Sequence, residues 1–276
     1  MFRRSLMHLA LGLLVASAAH AQTLDEVLKK HFEAMGGLEK LKTVQTKKAT
    51  GNMAMGQGME APFTLEQKRP SKQRIEFNVQ GMVGVQAFDG EKSWTLFPFM
   101  GQKTAEYASE EDSKNMKDDS DFDGPLMDYK TKGHTVELVG KEPVEGAEAH
   151  KLKVTLKSGN VQYAYIDAET FLLVKQEAKV KRRGTEIDGE TYFSDYKETD
   201  GFMEPYVVEQ GAKGMEQRQK MTFSKIEHNV ALDDNRFTLP APADTTKAAA
   251  AKPATTDKAA ADKAAADKAA TAKKKK

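Results

Sequence analysis

The sequence predicts an α+β fold built on one large, strongly curved antiparallel sheet of about ten or eleven strands. An amphipathic helix precedes the sheet and a helical insert interrupts it. Apolar residues recur at helical spacing only near the start of the chain, and from residue 44 onward they alternate with polar ones between glycine-centred turns. A sheet of that many strands curls, so its concave side has to be filled or covered.

Residues 1–21 open with Arg3 and Arg4, continue in an apolar run over residues 6–19, and leave through Ala19-His20-Ala21. That is the pattern of a cleaved secretory signal peptide, since the run is too short for a membrane span and ends in small residues. The rest of the chain is therefore expected outside the cytoplasm, starting at Gln22. The sequence has no cysteine, which excludes both a disulfide framework and a lipid anchor on a cysteine after the signal.

Thr23-Leu24-Asp25-Glu26 has the form of a capping box, with Thr23 at the N-cap and Glu26 three residues on. Leu24, Val27, Leu28, His31, Phe32 and Met35 then make one apolar stripe that stops at Gly36-Gly37. A helical turn over residues 38–42 follows. Over residues 44–97 the period becomes two. Phe63 and Leu65 alternate with Thr64 and Glu66, Ile75 and Phe77 with Arg74 and Glu76, and turns fall at Gly56 to Gly58, Gln80-Gly81 and Asp89-Gly90.

Ser109-Glu110-Glu111-Asp112 reads as a second helix start, and residues 122–129 as another short helix bearing Leu126 and Met127. Alternation returns after Gly133 with Val136 and Leu138, with Leu152, Val154 and Leu156, and with Val161, Tyr163 and Tyr165. Further strands are expected over residues 172–181, 190–197, 202–210 and 217–228.

Residues 22–240 form the expected domain. Beyond Pro240 the chain is nearly all Ala, Lys, Asp, Thr and Pro, with D-K-A-A recurring at Asp257, Asp262 and Asp267 and a closing run of four lysines. Nine Lys against four Asp give residues 241–276 a charge of +5, and nothing in them builds a core. With the two signal arginines also set aside, the total of +1 leaves −6 on residues 22–240. An acidic domain thus carries a basic tail, read as a solvated tether or as a weak electrostatic contact to membrane or cell wall. An exported acidic domain whose lysines alternate along strands is no nucleic-acid binder.

Signals for chemistry are weak. Asp119-Ser120-Asp121-Phe122-Asp123-Gly124 matches the first half of a calcium loop, yet Lys130 stands where the bidentate glutamate belongs. It reads as an acidic turn. The histidines outside the signal, His31, His134, His150 and His228, are single and form no zinc motif. There is no G-x-S-x-G, phosphate loop or thiol nucleophile. No cofactor, metal or catalytic residue is expected, and binding is the kind of function left.

The apolar residues point the same way. Eleven methionines remain outside the signal, several near turns, and they accompany Trp94, Phe97 and Phe99. Flexible thioethers suit surfaces that accept apolar partners of varied shape, although they also fill ordinary cores.

Lys68-Arg69-Pro70, followed by Asp89-Gly90, Trp94 and Pro98-Phe99, resembles the K-R-P … D-G-x-x-x-W-x-x-x-P-F pattern of the periplasmic lipoprotein carriers, the LolA family. The order of helix, strands, insert and strands is similar too, over residues 23–239. The resemblance implies a half-open, unclosed barrel in the periplasm, whose concave apolar face binds acyl chains of lipoproteins or lipids beneath a helical lid at residues 105–131. It implies a monomer that serves outer-membrane lipoprotein sorting between an inner-membrane donor and an outer-membrane acceptor. Arg69 would hold the lid by hydrogen bonds to its backbone. The apolar site expected on this basis comprises Phe63, Leu65, Ile75 and Phe77, then Val85, Trp94, Leu96, Phe97, Phe99 and Met100, with Leu126 and Met127 from the insert. Two other classes stay open: an envelope sensor of the same fold that signals to a protein partner, and a structural envelope protein with a filled core.

Overall fold

The computed structural model describes residues 22–241 apart from 57, 183, 184 and 216. The signal segment 1–21 and the Ala/Lys tail after residue 241 lie outside the described residues.

Helix α1, Leu24–Ala34, starts in the expected capping box: the Thr23 amide donates to Glu26 Oε2 at 2.9 Å, and the Glu26 amide donates to Thr23 Oγ1 at 3.3 Å. Its stripe buries Val27, Leu28 and His31. At Gly36, where φ is 115°, an added Cβ would stand 2.5 Å from the Gly201 carbonyl oxygen, so glycine is required for the chain to pass this close. Helix α2, Leu38–Thr43, follows at once.

The chain then forms β1 (Thr46–Gly56), β2 (Met59–Lys68), β3 (Lys72–Val79), β4 (Met82–Phe88), β5 (Ser93–Leu96) and β6 (Glu106–Tyr107). After α3 (Glu110–Asp119) and α4 (Tyr129–Lys132) come β7 (Thr135–Val144), β8 (Ala147–Thr155), β9 (Val161–Asp167) and β10 (Leu173–Arg182). The last three are β11 (Thr185–Thr199), β12 (Phe202–Ala212) and β13 (Gln219–His228).

All 13 strands belong to one antiparallel sheet in the order β6-β5-β4-β3-β2-β1-β13-β12-β11-β10-β9-β8-β7. The first strand pairs with the last at the middle of the sheet, Ala49 opposite Ile226. Both edges come from the middle of the chain, and residues 108–134 connect one edge to the other. The sheet is a half-barrel that does not close, because β6 and β7 are not neighbours.

Two sequence expectations change. Among the described residues there are 13 strands rather than about ten or eleven, partly because the two-residue β6 is too short to show any period. Residues 122–129 are not a helix: turns occupy residues 122–128 and α4 begins only at Tyr129. Gly124 and Asp128 both take left-handed backbone angles there, which break a helical path.

Register assigns the faces. Leu96 lies opposite Val85 and Trp94 opposite Ala87, continuing to Arg74 and Glu66, so these residues share one face. Phe77, Phe63, Ile75 and Leu65 share the other. Helix α1 covers that second, inner face over β7 to β10, where Val27 and Leu28 pack with Leu152, Val154, Ala164 and Ile166. This half of the concave side is a filled core. The outer face at β4 and β5 is covered by the C-terminal segment, with Phe237 fully buried and Trp94 Nε1 donating to its carbonyl at 2.7 Å.

Candidate functional site

The other half of the inner face has no helix of its own laid along it like α1. On β1, β2 and β13, Met53, Phe63 and Met221 are buried, and Leu65, Ile75, Phe77 and Phe223 pack on them while keeping part of their surface open. After β5 the chain turns through Pro98–Met100, and Gly101 ends that turn with φ 87°. The turn returns Phe97 and Phe99 over the same face. Phe77, Phe97 and Phe99 form a trio with ring centroids 5.6–5.8 Å apart. Gly84 makes room for it, since a Cβ there would stand 2.6 Å from Phe99 and 2.9 Å from Phe77.

The insert roofs this region. Ser109 caps α3 by accepting from the Asp112 amide at 3.0 Å, and acidic residues fill the first turn, where the helix dipole favours them. The helix packs against β4 and β5 and also against β10, so it crosses the opening between the two halves of the sheet. On one side the Ser113 and Ser93 hydroxyls meet at 2.9 Å, and Gln86 Nε2 lies 3.2 Å from Met116 Sδ. On the other, Asp118 accepts from Ser158 at 3.0 Å and from Asn160 at 2.8 Å.

Arg69 contacts both α2 and the insert. Its guanidinium donates to the carbonyls of Val44 and, at 3.0 Å, of Leu41 in α2, and to the Asp123 carboxylate in the insert. It also lies 4.7 Å from the Phe122 ring centroid, while the Phe122 amide donates to the Pro70 carbonyl at 3.1 Å. The backbone carbonyls that Arg69 holds thus belong to α2 and its C-cap Val44, and the insert is held by a charged side chain and a ring. Two further carboxylates of the insert are engaged as well. Lys132 Nζ donates to Asp121 at 2.5 Å, and Lys42 pairs with Asp128 at 2.9 Å. Among the described residues no cluster of three or more His, Asp or Glu is arranged to hold a metal.

Beside Arg69 lies a cavity of about 160 Å³ between α1, α2, the insert and the sheet, bordered by Phe32, Met35, Phe122, Met127 and Phe202. Its polar wall is a charged cluster in which Lys47 Nζ stands 2.8 Å from Glu204 Oε1 and His228 Nε2 meets the same carboxylate at 2.8 Å. Burial pushes the Glu204 carboxyl up, but Lys47 and His228 outweigh it and hold its pKa down at about 2. His31 borders the cavity too. Burial lowers its pKa, and its Nδ1–H donates to the Phe171 carbonyl at 2.8 Å.

The structure brings Phe63, Leu65, Ile75, Phe77, Phe97 and Phe99 together on the inner face. It does not bring Val85, Trp94 and Leu96 to them, because these three lie on the outer face under the C-terminal segment. Leu126 is buried in the α1 core, Met127 borders the cavity, and Met100 is exposed at the strand end. Sequence reasoning missed the cluster of Lys47, Glu204 and His228. No motif joins three residues on β1, β12 and β13; they meet because the first and last strands pair.

No family model and no curated protein matches the sequence. Among solved structures, the fold is similar to a domain from Vibrio parahaemolyticus classed with outer membrane lipoprotein-sorting proteins, with a TM-score of 0.52, 14% identity, and coverage of 77% of this chain and 94% of that one. A LolA superfamily protein from Nitrosomonas europaea gives a TM-score of 0.52 at 13% identity over 79% of this chain and 98% of the other. A DUF1329 family protein from Desulfovibrio piger gives 0.53 at 16% identity over 76% and 97%. The chain has a LolA-like fold.

Proposed function

We propose that this chain, starting from the fold it shares with the lipoprotein-sorting proteins, is a non-enzymatic carrier of acyl chains, from lipoproteins or lipids, in the periplasm. The observation that supports this best is the uneven filling of the inner face. Helix α1 fills one half, while the other keeps a half-exposed surface of Phe, Met, Leu and Ile beneath a latched insert. Buried methylenes contribute about 0.8 kcal/mol each, so an acyl chain laid along that surface is held strongly. The cavity of about 160 Å³ beside Arg69 lies apart from that surface and takes only a group roughly the size of benzene, so the acyl chain belongs on the half-exposed inner face and not in that cavity. Phe63, Leu65, Ile75, Phe77, Phe97 and Phe99 are the proposed lining, and Arg69 is the proposed latch. On this reading Val85, Trp94 and Leu96 support the sheet from behind.

Mass spectrometry of organic extracts of the natively exported protein, with titration of a monomeric fluorescent fatty acid, tests the proposal. Co-purifying lipid and saturable uptake that falls in Phe77→Asp are expected. Absence of both overturns it, and a protein partner that stays bound together with the lipid favours the sensor reading.

A further inference from the structure

We propose that the end of the sheet where β1 meets β2, β3 meets β4, β10 meets β11 and β12 meets β13, together with the chain after β5, is a rim that docks on a lipid bilayer. The antiparallel order places these five tips side by side at one end of nine adjacent strands, from β5 to β10 in the sheet order. Four of the tips carry one exposed large apolar residue each, Met100 (72% exposed), Met82 (40%), Met59 (51%) and Met215 (59%), and Ile187 (38%) stands on β11 two residues in from its end. Only two other large apolar residues among the described ones are exposed, Tyr107 and Val139, both on edge strands. Among the described residues no tip at the opposite end exposes a large apolar side chain: Asp89-Gly90 and Asp200-Gly201 are polar, Arg69 occupies another, and Phe171 and Leu172 between β9 and β10 are partly buried. The next tip along, between β8 and β9, is polar and held by Asp118 of α3, so the apolar series stops where the insert docks.

The arrangement favours a fluid apolar phase over a shaped protein partner. Four of the five side chains are unbranched, flexible thioethers. They stand on separate tips along an arc of roughly 40 Å at the usual strand spacing. A bilayer interface accepts scattered apolar anchors at any rotamer. By register, Met82 shares the face of Gly84, Met59 that of Phe63 and Ile187 that of Thr191, all on the inner side. The rim therefore continues the apolar inner surface, and an acyl chain leaving a docked bilayer enters it without crossing water. This role rests on the carrier reading for its purpose but is measured separately from it.

The test is flotation of the full chain with phosphatidylcholine vesicles in high salt, which removes the electrostatic contribution of the basic tail. The comparison is with Met59→Ser/Met82→Ser/Met100→Ser/Met215→Ser and with the control Tyr107→Ser/Val139→Ser, each checked for unchanged melting. Each methionine removed is expected to lower the partition coefficient roughly three- to tenfold, with the control unchanged. Uptake of a monomeric fluorescent fatty acid without vesicles reads the inner surface independently. Fatty-acid uptake without vesicle binding by the parent chain overturns the rim and leaves the carrier reading standing. Vesicle binding lost in the rim variant upholds the rim even if no fatty acid is taken up. Self-association that is lost in the rim variant, with no vesicle binding in the parent, assigns the surface to a second copy and overturns the proposal.

Discussion

The Arg69 guanidinium donates to the Asp123 carboxylate and so joins the turn between β2 and β3 to the insert that connects the two edges of the sheet. The same guanidinium holds the Leu41 carbonyl of the helix before β1 and the carbonyl of its C-cap, Val44. One side chain thus fixes three segments that are distant in sequence.

Replacing it tests the latch. Arg69→Leu leaves two carbonyls and a carboxylate without their donor and is expected to cost on the order of 2–4 kcal/mol, whereas Asp123→Asn costs about 1 kcal/mol. Urea denaturation reads the totals. Amide exchange should rise in both variants across residues 110–132 and, in Arg69→Leu alone, also across residues 38–44. Exchange in the insert equal to that of the parent chain would remove Arg69 as its latch.

Gly84 sets the position of the aromatic trio. Gly84→Val pushes against the Phe99 and Phe77 rings, both displaceable ends of side chains, so the expected loss is about 1–3 kcal/mol rather than unfolding. Fatty-acid uptake should fall more than the melting temperature would explain. Unchanged uptake would show that the trio does not line the bound chain.

Stability should fall in two stages on acidification. The His31 and His150 rings are held below the ordinary value of 6.5 by burial, so the unfolded chain binds protons first and stability declines as the pH drops below 6.5. Glu204 has a folded pKa of about 2 against 4.5, so its contribution is complete above pH 4.5 and is lost as the pH falls toward 2. That second loss amounts to at most about 3 kcal/mol. In thermal melts across this range, Glu204→Gln should flatten the lower stage only; a curve of unchanged shape would show that its carboxylate gains nothing from Lys47 and His228.

Trp94 should report on the C-terminal segment and not on ligand. Trp94→Phe removes the donor to the Phe237 carbonyl and is expected to cost about 1–3 kcal/mol, with fatty-acid affinity unchanged. A clear loss of affinity would bring Trp94 into the binding surface.

The ends of the chain are open to direct measurement. Intact-mass analysis of the exported protein should give a chain starting at Gln22, and removal of residues 243–276 should leave melting and lipid uptake unchanged. A mature chain that retains residues 1–21 would refute the signal reading.

Much of this molecule follows from local sequence. The capping box at Thr23, the stripe of α1 and the end of that helix at Gly36-Gly37 are set by hydrogen bonds and periodicity within one turn of chain. Alternation placed Phe63, Leu65, Ile75 and Phe77 on one face, and it placed Trp94 and Leu96 opposite Phe97, because successive side chains on a strand point to opposite sides. Periodicity does not say what covers each side. That Trp94 faces the C-terminal segment while Phe97 faces the interior depends on the pairing of β1 with β13, which brings the end of the chain to the outside of β4 and β5. The meeting of Lys47, Glu204 and His228, the engagement of Asp123 by Arg69, and the alignment of Met59, Met82, Met100 and Met215 on one rim have the same origin. Each joins residues far apart in the chain, and only the closing of the long-range sheet contacts puts them side by side.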